Sequence, residues 1–174
     1  GTDLNSNGGA PDYPAAGNII AIVGLPSSGG VLKSFANSTG DGLWNTPGNW
    51  NPVGVPTKND QVYVGHAVKI AGNGNTFYAQ SLVVDNAATI SPNVTTGGDI
   101  VSLVVLGDIN IIGMGGTVGV ANRSKLNLSI GDGVTPNLSS IITVPLVNNT
   151  ADRGLWVNDF TINNASVELA AGGS

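Results

Sequence analysis

From Asp60 onward the chain is a succession of short aliphatic runs, each cut off within a few residues by Gly, Asn or Asp. Runs at 61–64, 67–70, 81–84, 88–91, 100–106, 109–112, 117–120, 125–130, 140–144, 155–157, 160–162 and 166–169 read as strands. Between them stand polar corners such as Gly72-Asn73-Gly74-Asn75, Asp85-Asn86, Gly97-Gly98, Gly107-Asp108 and Gly131-Asp132-Gly133. These residues favour turns because Gly accepts positive φ and Asn or Asp bonds to its own backbone. No segment holds a helical period over three turns, so essentially no α-helix is expected. Val and Ile dominate the runs, and β-branched side chains suit a pleated surface.

The unit strand, polar corner, strand recurs. Ser81 to Ile90, Ser102 to Ile112 and Leu155 to Leu169 share that shape. Recurrence suggests stacked coils, so the expected fold is all-β: a short β-solenoid, right-handed and β-helix-like, or a β-sandwich with Greek-key connections. The expected organisation is an extended N-terminal segment, 1–39, followed by a single β domain, 40–174. Within the first segment, a short strand is expected at 31–35.

Ahead of the alternating runs lies Gly40-Asp41-Gly42-Leu43-Trp44-Asn45-Thr46-Pro47-Gly48-Asn49-Trp50-Asn51-Pro52-Val53-Gly54-Val55-Pro56, ending on Asp60 before Gln61-Val62-Tyr63-Val64. Two of only three tryptophans fall in this turn-rich stretch. With Trp44, Asn49-Trp50, Gly54, Pro56, Asp60, Val62 and Val64 in this order, residues 40–133 resemble the Trp-motif N-terminal region of β-helical bacterial surface and secreted proteins of the adhesin type. That resemblance implies a β-helical fold whose first coils follow the motif, and a place as the cap of a longer adhesin or passenger. On physical grounds Trp44, Trp50 and Tyr63 have two readings: a structural cap over the end of the stack, or an aromatic platform for a sugar ring.

Charge and cysteine narrow the function classes. The formal net charge is −5, and the six basic residues, Lys33, Lys58, Lys69, Arg123, Lys125 and Arg153, are scattered. Phosphate backbones need clustered cations, so no nucleic-acid partner is expected. The aliphatic runs are too short to span a bilayer, so no membrane insertion is expected. With no cysteine, disulfides and thiolate metal sites are excluded. Charged residues make up only 10% of the chain, and Asn, Ser, Thr and Gly abound; together with the missing cysteine this suggests an extracellular or cell-surface location. The start at Gly1 rather than Met is read as a processed or trimmed form.

The N-terminal segment holds two candidate sites. Asp3, Asn5 and Asn7, followed by Gly8, have the alternate-oxygen spacing of a calcium loop, with Asp12 in a Pro-Asp-Tyr similar to the end of type 3 thrombospondin-like calcium repeats. The twelfth position is Pro14 rather than an acid, and a plain terminus is the competing reading. The Asp132 and Asp41 turns could likewise hold a cation or simply be tight turns. The second candidate is Ile19, Ile20, Ala21, Ile22 and Val23, an aliphatic run within 18–24 that lacks polar alternation. Such a run wants both faces covered. It is either an ordinary internal strand or an assembly strand inserted into the sheet of a neighbouring subunit.

Catalysis finds little support. His66 is the only histidine, no Gly-x-Ser-x-Gly elbow occurs, and Asp60, Asp85, Asp99 and Asp108 fall mostly at strand corners. No enzyme and no certain cofactor are expected, calcium being the one candidate. The chain reads as an extracellular structural or adhesive scaffold module, a candidate filament subunit assembling by β-strand donation, with self as the main partner. The alternative is a carbohydrate-binding module of a larger secreted protein, its partner a polysaccharide.

Overall fold

The structure is a computed structural model and describes residues 30–72, 74–85, 88–93, 100–112, 117–118, 125–135, 138–145, 154–155 and 157–172. Within them the chain is all-β. The helical content of the described residues is confined to 3-10 geometry, at Pro47–Asn49 and at Lys125 ahead of β11. The strands are β1 (Leu32–Phe35), β2 (Trp50–Asn51), β3 (Gln61–Val64), β4 (Val68–Ala71), β5 (Thr76–Ala79), β6 (Ser81–Val84), β7 (Thr89–Asn93) and β8 (Val101–Val105). They continue with β9 (Ile109–Ile111), β10 (Thr117–Val118), β11 (Leu126–Ile130), β12 (Leu138–Pro145), β13 (Gly154–Leu155), β14 (Asp159–Ile162) and β15 (Ala165–Gly172).

From β3 onward every pairing is parallel and joins a strand to the third one after it. Parallel neighbours cannot be joined by a tight hairpin; the chain needs a long return path. Here the return path is itself two strands, each laid in a different sheet. The result is one seven-stranded sheet, ordered β15-β12-β9-β6-β3-β1-β2, and two four-stranded sheets, β13-β10-β7-β4 and β14-β11-β8-β5. The first sheet is mixed only where β1 and β2 run antiparallel.

Alternation decides which side chains enter the core. In β11, Leu126, Leu128 and Ile130 are buried while Asn127 and Ser129 are half-exposed. Register then stacks like on like. Val62, Leu82, Ile109, Ile142 and Leu169 form one column in the first sheet. Phe77, Leu103, Leu128 and Phe160 form another in the third sheet, beside Ala79, Val105, Ile130 and Ile162. Val68, Ile90 and Val118 line the second. Short of their last members Leu169, Phe160 and Ile162, these columns make one continuous core.

Corners are tight where successive layers cross. At Gly131 φ is +83°, and an added Cβ would strike the Asn163 carbonyl oxygen. Only glycine fits a corner that combines this backbone conformation with so close an approach.

Two expectations about elements need correction. β5 was not expected, because Thr76-Phe77-Tyr78-Ala79 offers four residues between two turn signals; register against β8 makes it a strand. The Trp motif is mostly turns, as its sequence suggests, with the two-residue strand Trp50–Asn51 paired to β1. β1 itself lies inside the expected N-terminal segment 1–39 but pairs with β2 and β3, so the main sheet takes in part of that segment.

Candidate functional site

The two ends of the stack are built differently. At the β1 end, Phe35, Trp44 and Trp50 form an edge-to-face aromatic group. The Trp44–Trp50 centroids lie 4.9 Å apart, Phe35–Trp50 5.1 Å, and Phe77 meets Trp44 at 6.4 Å. The Trp50 indole N–H donates to the Trp44 carbonyl at 2.6 Å. Both indoles are buried, Trp44 at 0% and Trp50 at 2% exposure. A sugar platform needs an open ring face, so for these two indoles that expectation is corrected: they pack inward. Tyr63 is half-buried, and its hydroxyl donates to Asp85 at 3.1 Å. Burial first, and then the Asp85 charge, push the Tyr63 hydroxyl up from its ordinary value.

Polar groups hold the motif in place. Asn49 is fully buried. Its amide N–H donates to the Leu43 carbonyl at 2.9 Å and to the Asp41 carboxylate, while its Oδ1 accepts from the Thr39 N–H at 3.0 Å and hydroxyl at 2.6 Å. Asp41 also accepts from the Leu43 N–H and the Thr46 hydroxyl. The Thr46 hydroxyl foremost, with the Leu43 N–H next, lowers the Asp41 carboxyl to about 2. The buried Lys33 ammonium donates to the carbonyls of Pro52 and Val53.

The motif also closes sheet edges. Trp44 N–H donates to the Lys69 carbonyl and Lys69 N–H to the Gly42 carbonyl, covering the free side of β4, while β2 covers β1. Asp60 fastens the entry to β1 and β3 by accepting from the Val31 N–H, the Thr57 N–H and the Thr57 hydroxyl. Burial raises the Asp60 pKa more than any single contact lowers it, but the bonds from Val31 and Thr57 together with the Lys33 charge bring the net shift down.

At the β15 end nothing comparable covers the core. The three inward columns finish on Leu169, Phe160 and Ile162, all three exposed. Leu169 is 76% exposed where its column neighbour Ile142 is 1%; Phe160 is 43% and Ile162 48% exposed, above a fully packed Leu128 and Ile130. Val157, Ala165 and Val167 are partly buried against the same end of the core. β13, β14 and β15 each stand last in their sheets, so each has one unpaired edge among the described residues. Nothing in the individual residues announces this; the signal is positional, three inward residues on the last layer of their columns.

The remaining sequence candidates are dispersed. Asp3, Asn5, Asn7, Asp12, the run Ile19 to Val23, Asp99 and Trp156 lie outside the described residues. Asp132 accepts from the N–H groups of Val134 and Thr135 and from the Thr135 hydroxyl, a tight turn; the Thr135 N–H foremost holds its carboxyl well below the usual range. Asp108 accepts from the Ile141 N–H. His66 is exposed beyond the end of β3. Among the described residues no three of His, Asp or Glu gather as a metal site, and no helix is long and apolar enough to cross a membrane.

Comparison with protein-family models, curated proteins and solved structures returns no match.

Proposed function

We propose that this chain is a short β-solenoid that works as an extracellular structural module, growing end to end through its open face. The solenoid reading rests on the n to n+3 parallel pairing in three sheets; a Greek-key sandwich is built from antiparallel neighbours instead. The extracellular reading rests on the missing cysteine and the sparse charge. The work is mechanical: main-chain pairing and aliphatic burial, with no reactive centre required.

One observation carries the assembly reading. The β1 end is sealed by buried indoles, while three core columns at the β15 end finish on exposed Leu169, Phe160 and Ile162. Covering them fully is worth on the order of 4 kcal/mol. Association costs about 4–15 kcal/mol in lost freedom, so apolar contact alone does not hold a partner there. A partner that also pairs with the free edges of β14 and β15 adds main-chain hydrogen bonds to the account.

Sedimentation velocity over rising concentration, followed by electron microscopy, tests the proposal. Larger species that grow with concentration and elongate in one direction are expected. The double substitution Phe160→Asp with Leu169→Asp should leave a folded monomer. A wild-type chain that stays monomeric at high concentration would sink the assembly reading.

A further inference from the structure

We infer that the occupant of the open end is the run Ile19-Ile20-Ala21-Ile22-Val23 of a second copy of this chain, paired along the free edge of β15. The inference rests on the end-to-end reading above and names its donor and acceptor.

The acceptor is set by length and position. β15 runs from Ala165 to Gly172, stands last in the seven-stranded sheet and pairs only with β12 among the described residues. β14 covers four residues and β13 two, so β15 is the longest free edge of the three. Its inward Leu169 is the most exposed of the three column ends. A strand laid there satisfies a row of main-chain groups and extends the column of Val62, Leu82, Ile109, Ile142 and Leu169 by one layer.

The donor is set by chemistry. It must be a strand with aliphatic side chains toward the core. It must also carry no negative charge, because Asp159 and Glu168 lie on the two neighbouring free edges. Ile19 to Val23 is the longest aliphatic run outside the described strands, and no charged residue occurs from Pro14 to Leu32. Two faces of such a run can be apolar, since an alternate set (Ile19, Ala21, Val23) and its complement (Ile20, Ile22) both qualify.

Reach decides whose strand it is. Gly30 adjoins Val31, whose N–H is bound to Asp60 and whose carbonyl accepts from Gln61, so it sits level with β1. The strand order β1-β3-β6-β9-β12-β15 puts a strand beyond β15 six spacings from β1, about 29 Å at ~4.8 Å each. From Gly30 back to Val23 is seven residue steps, at most about 25 Å fully extended. The segment therefore falls short of its own open end. In a copy stacked head to tail, the same segment leaves the sealed end, which abuts the neighbour's open end. Donor and acceptor are different surfaces, so the contact is heterologous and repeats into a filament.

Because the chain has no cysteine, engineered pairs report without background. Ala21→Cys and Glu168→Cys are introduced in separate chains, mixed under assembling conditions and joined with a short bismaleimide. A cross-linked heterodimer is expected, and chains carrying both changes should form ladders. A cross-link confined within one doubly substituted chain overturns the inference in favour of the chain's own segment. Ile20→Asp with Ile22→Asp, kept full length, should weaken assembly by roughly a hundredfold or more while circular dichroism stays β-type. Unchanged assembly by that variant, or wild-type filaments that yield no heterodimer, overturns the donor assignment and leaves end-to-end growth standing. Wild-type chain that never assembles overturns both.

Discussion

Asn49 uses both ends of its amide inside the sealed end, reaching Thr39, Asp41 and Leu43 at once. Cutting it to alanine leaves the Leu43 carbonyl and the Thr39 N–H without that partner at a site with no solvent. Asn49→Ala should therefore destabilise the chain by about 2–4 kcal/mol, read as a shift in urea midpoint, while Asn51→Ala, exposed two residues on, should stay within about 0.5 kcal/mol. Acid should act on the same network. The Asp41 carboxyl ionises at about 2 in the folded chain against 3.8 for the ordinary group, so its contribution is fully present above 3.8 and is lost as pH falls from there toward 2. Asp132 and Asp60 shift in the same direction and add to the loss. Melting temperature should drop over that window, and Asp41→Asn should make the drop shallower; a flat profile would contradict the hydrogen bonding. The aromatic residues of this motif stand out in the sequence because tryptophan is rare there. Asn49 is visible only as the neighbour of Trp50 in the motif; its role as the buried hydrogen-bonding hub shows only in three-dimensional convergence, since asparagine is everywhere in this chain.

Position along a column should matter more than residue type. Leu128 and Phe160 are register partners with the same inward orientation, yet one is packed between layers and the other lies at the open end. Leu128→Ala should cost about 2–5 kcal/mol, as for deletions in a closed core, and Phe160→Ala about 1 kcal/mol in the monomer. Equal costs in chemical denaturation would mean that the β15 end is covered. Gly131→Ala should cost about 2 kcal/mol or more, because positive φ and the nearby Asn163 carbonyl act together. Strands with clean alternation, such as β11, were legible in the sequence to within a residue or two. β5 was not, because four residues carry too little periodicity to outweigh the turn signals around them. The n to n+3 pairing was hardest to read. The column residues Val62, Leu82, Ile109, Ile142 and Leu169 are 20, 27, 33 and 27 positions apart, so no fixed repeat length announces the layers. The number of residues between successive strands varies accordingly, and added connecting length costs little free energy.

A molecule in which each layer touches mainly its neighbours distributes stability along the stack rather than uniformly. The layers around β6, β8 and β9 have packed neighbours on both sides, the β1 end is closed by indoles, and the β13 to β15 end is closed by nothing described. Amide hydrogen exchange of the monomer should accordingly be slowest in β6, β8 and β9, slow again in the Trp motif, and fastest in β14 and β15. Were the chain to assemble end to end as proposed, only one of these would change. On polymerisation, protection should rise in β14 and β15 by at least about a hundredfold, because a covered edge must dissociate before it exchanges. Amides of β6 have both neighbours already and should hardly change. The open end could be quiet in the polymer for a different reason, namely sideways bundling of the sheet faces. Bundling leaves the edge amides of β15 as they were and slows instead any outward groups it buries, so the pattern along the chain separates the two. Protection that rises evenly over all three sheets would count against growth through the open end; a rise confined to the last two strands would fit it.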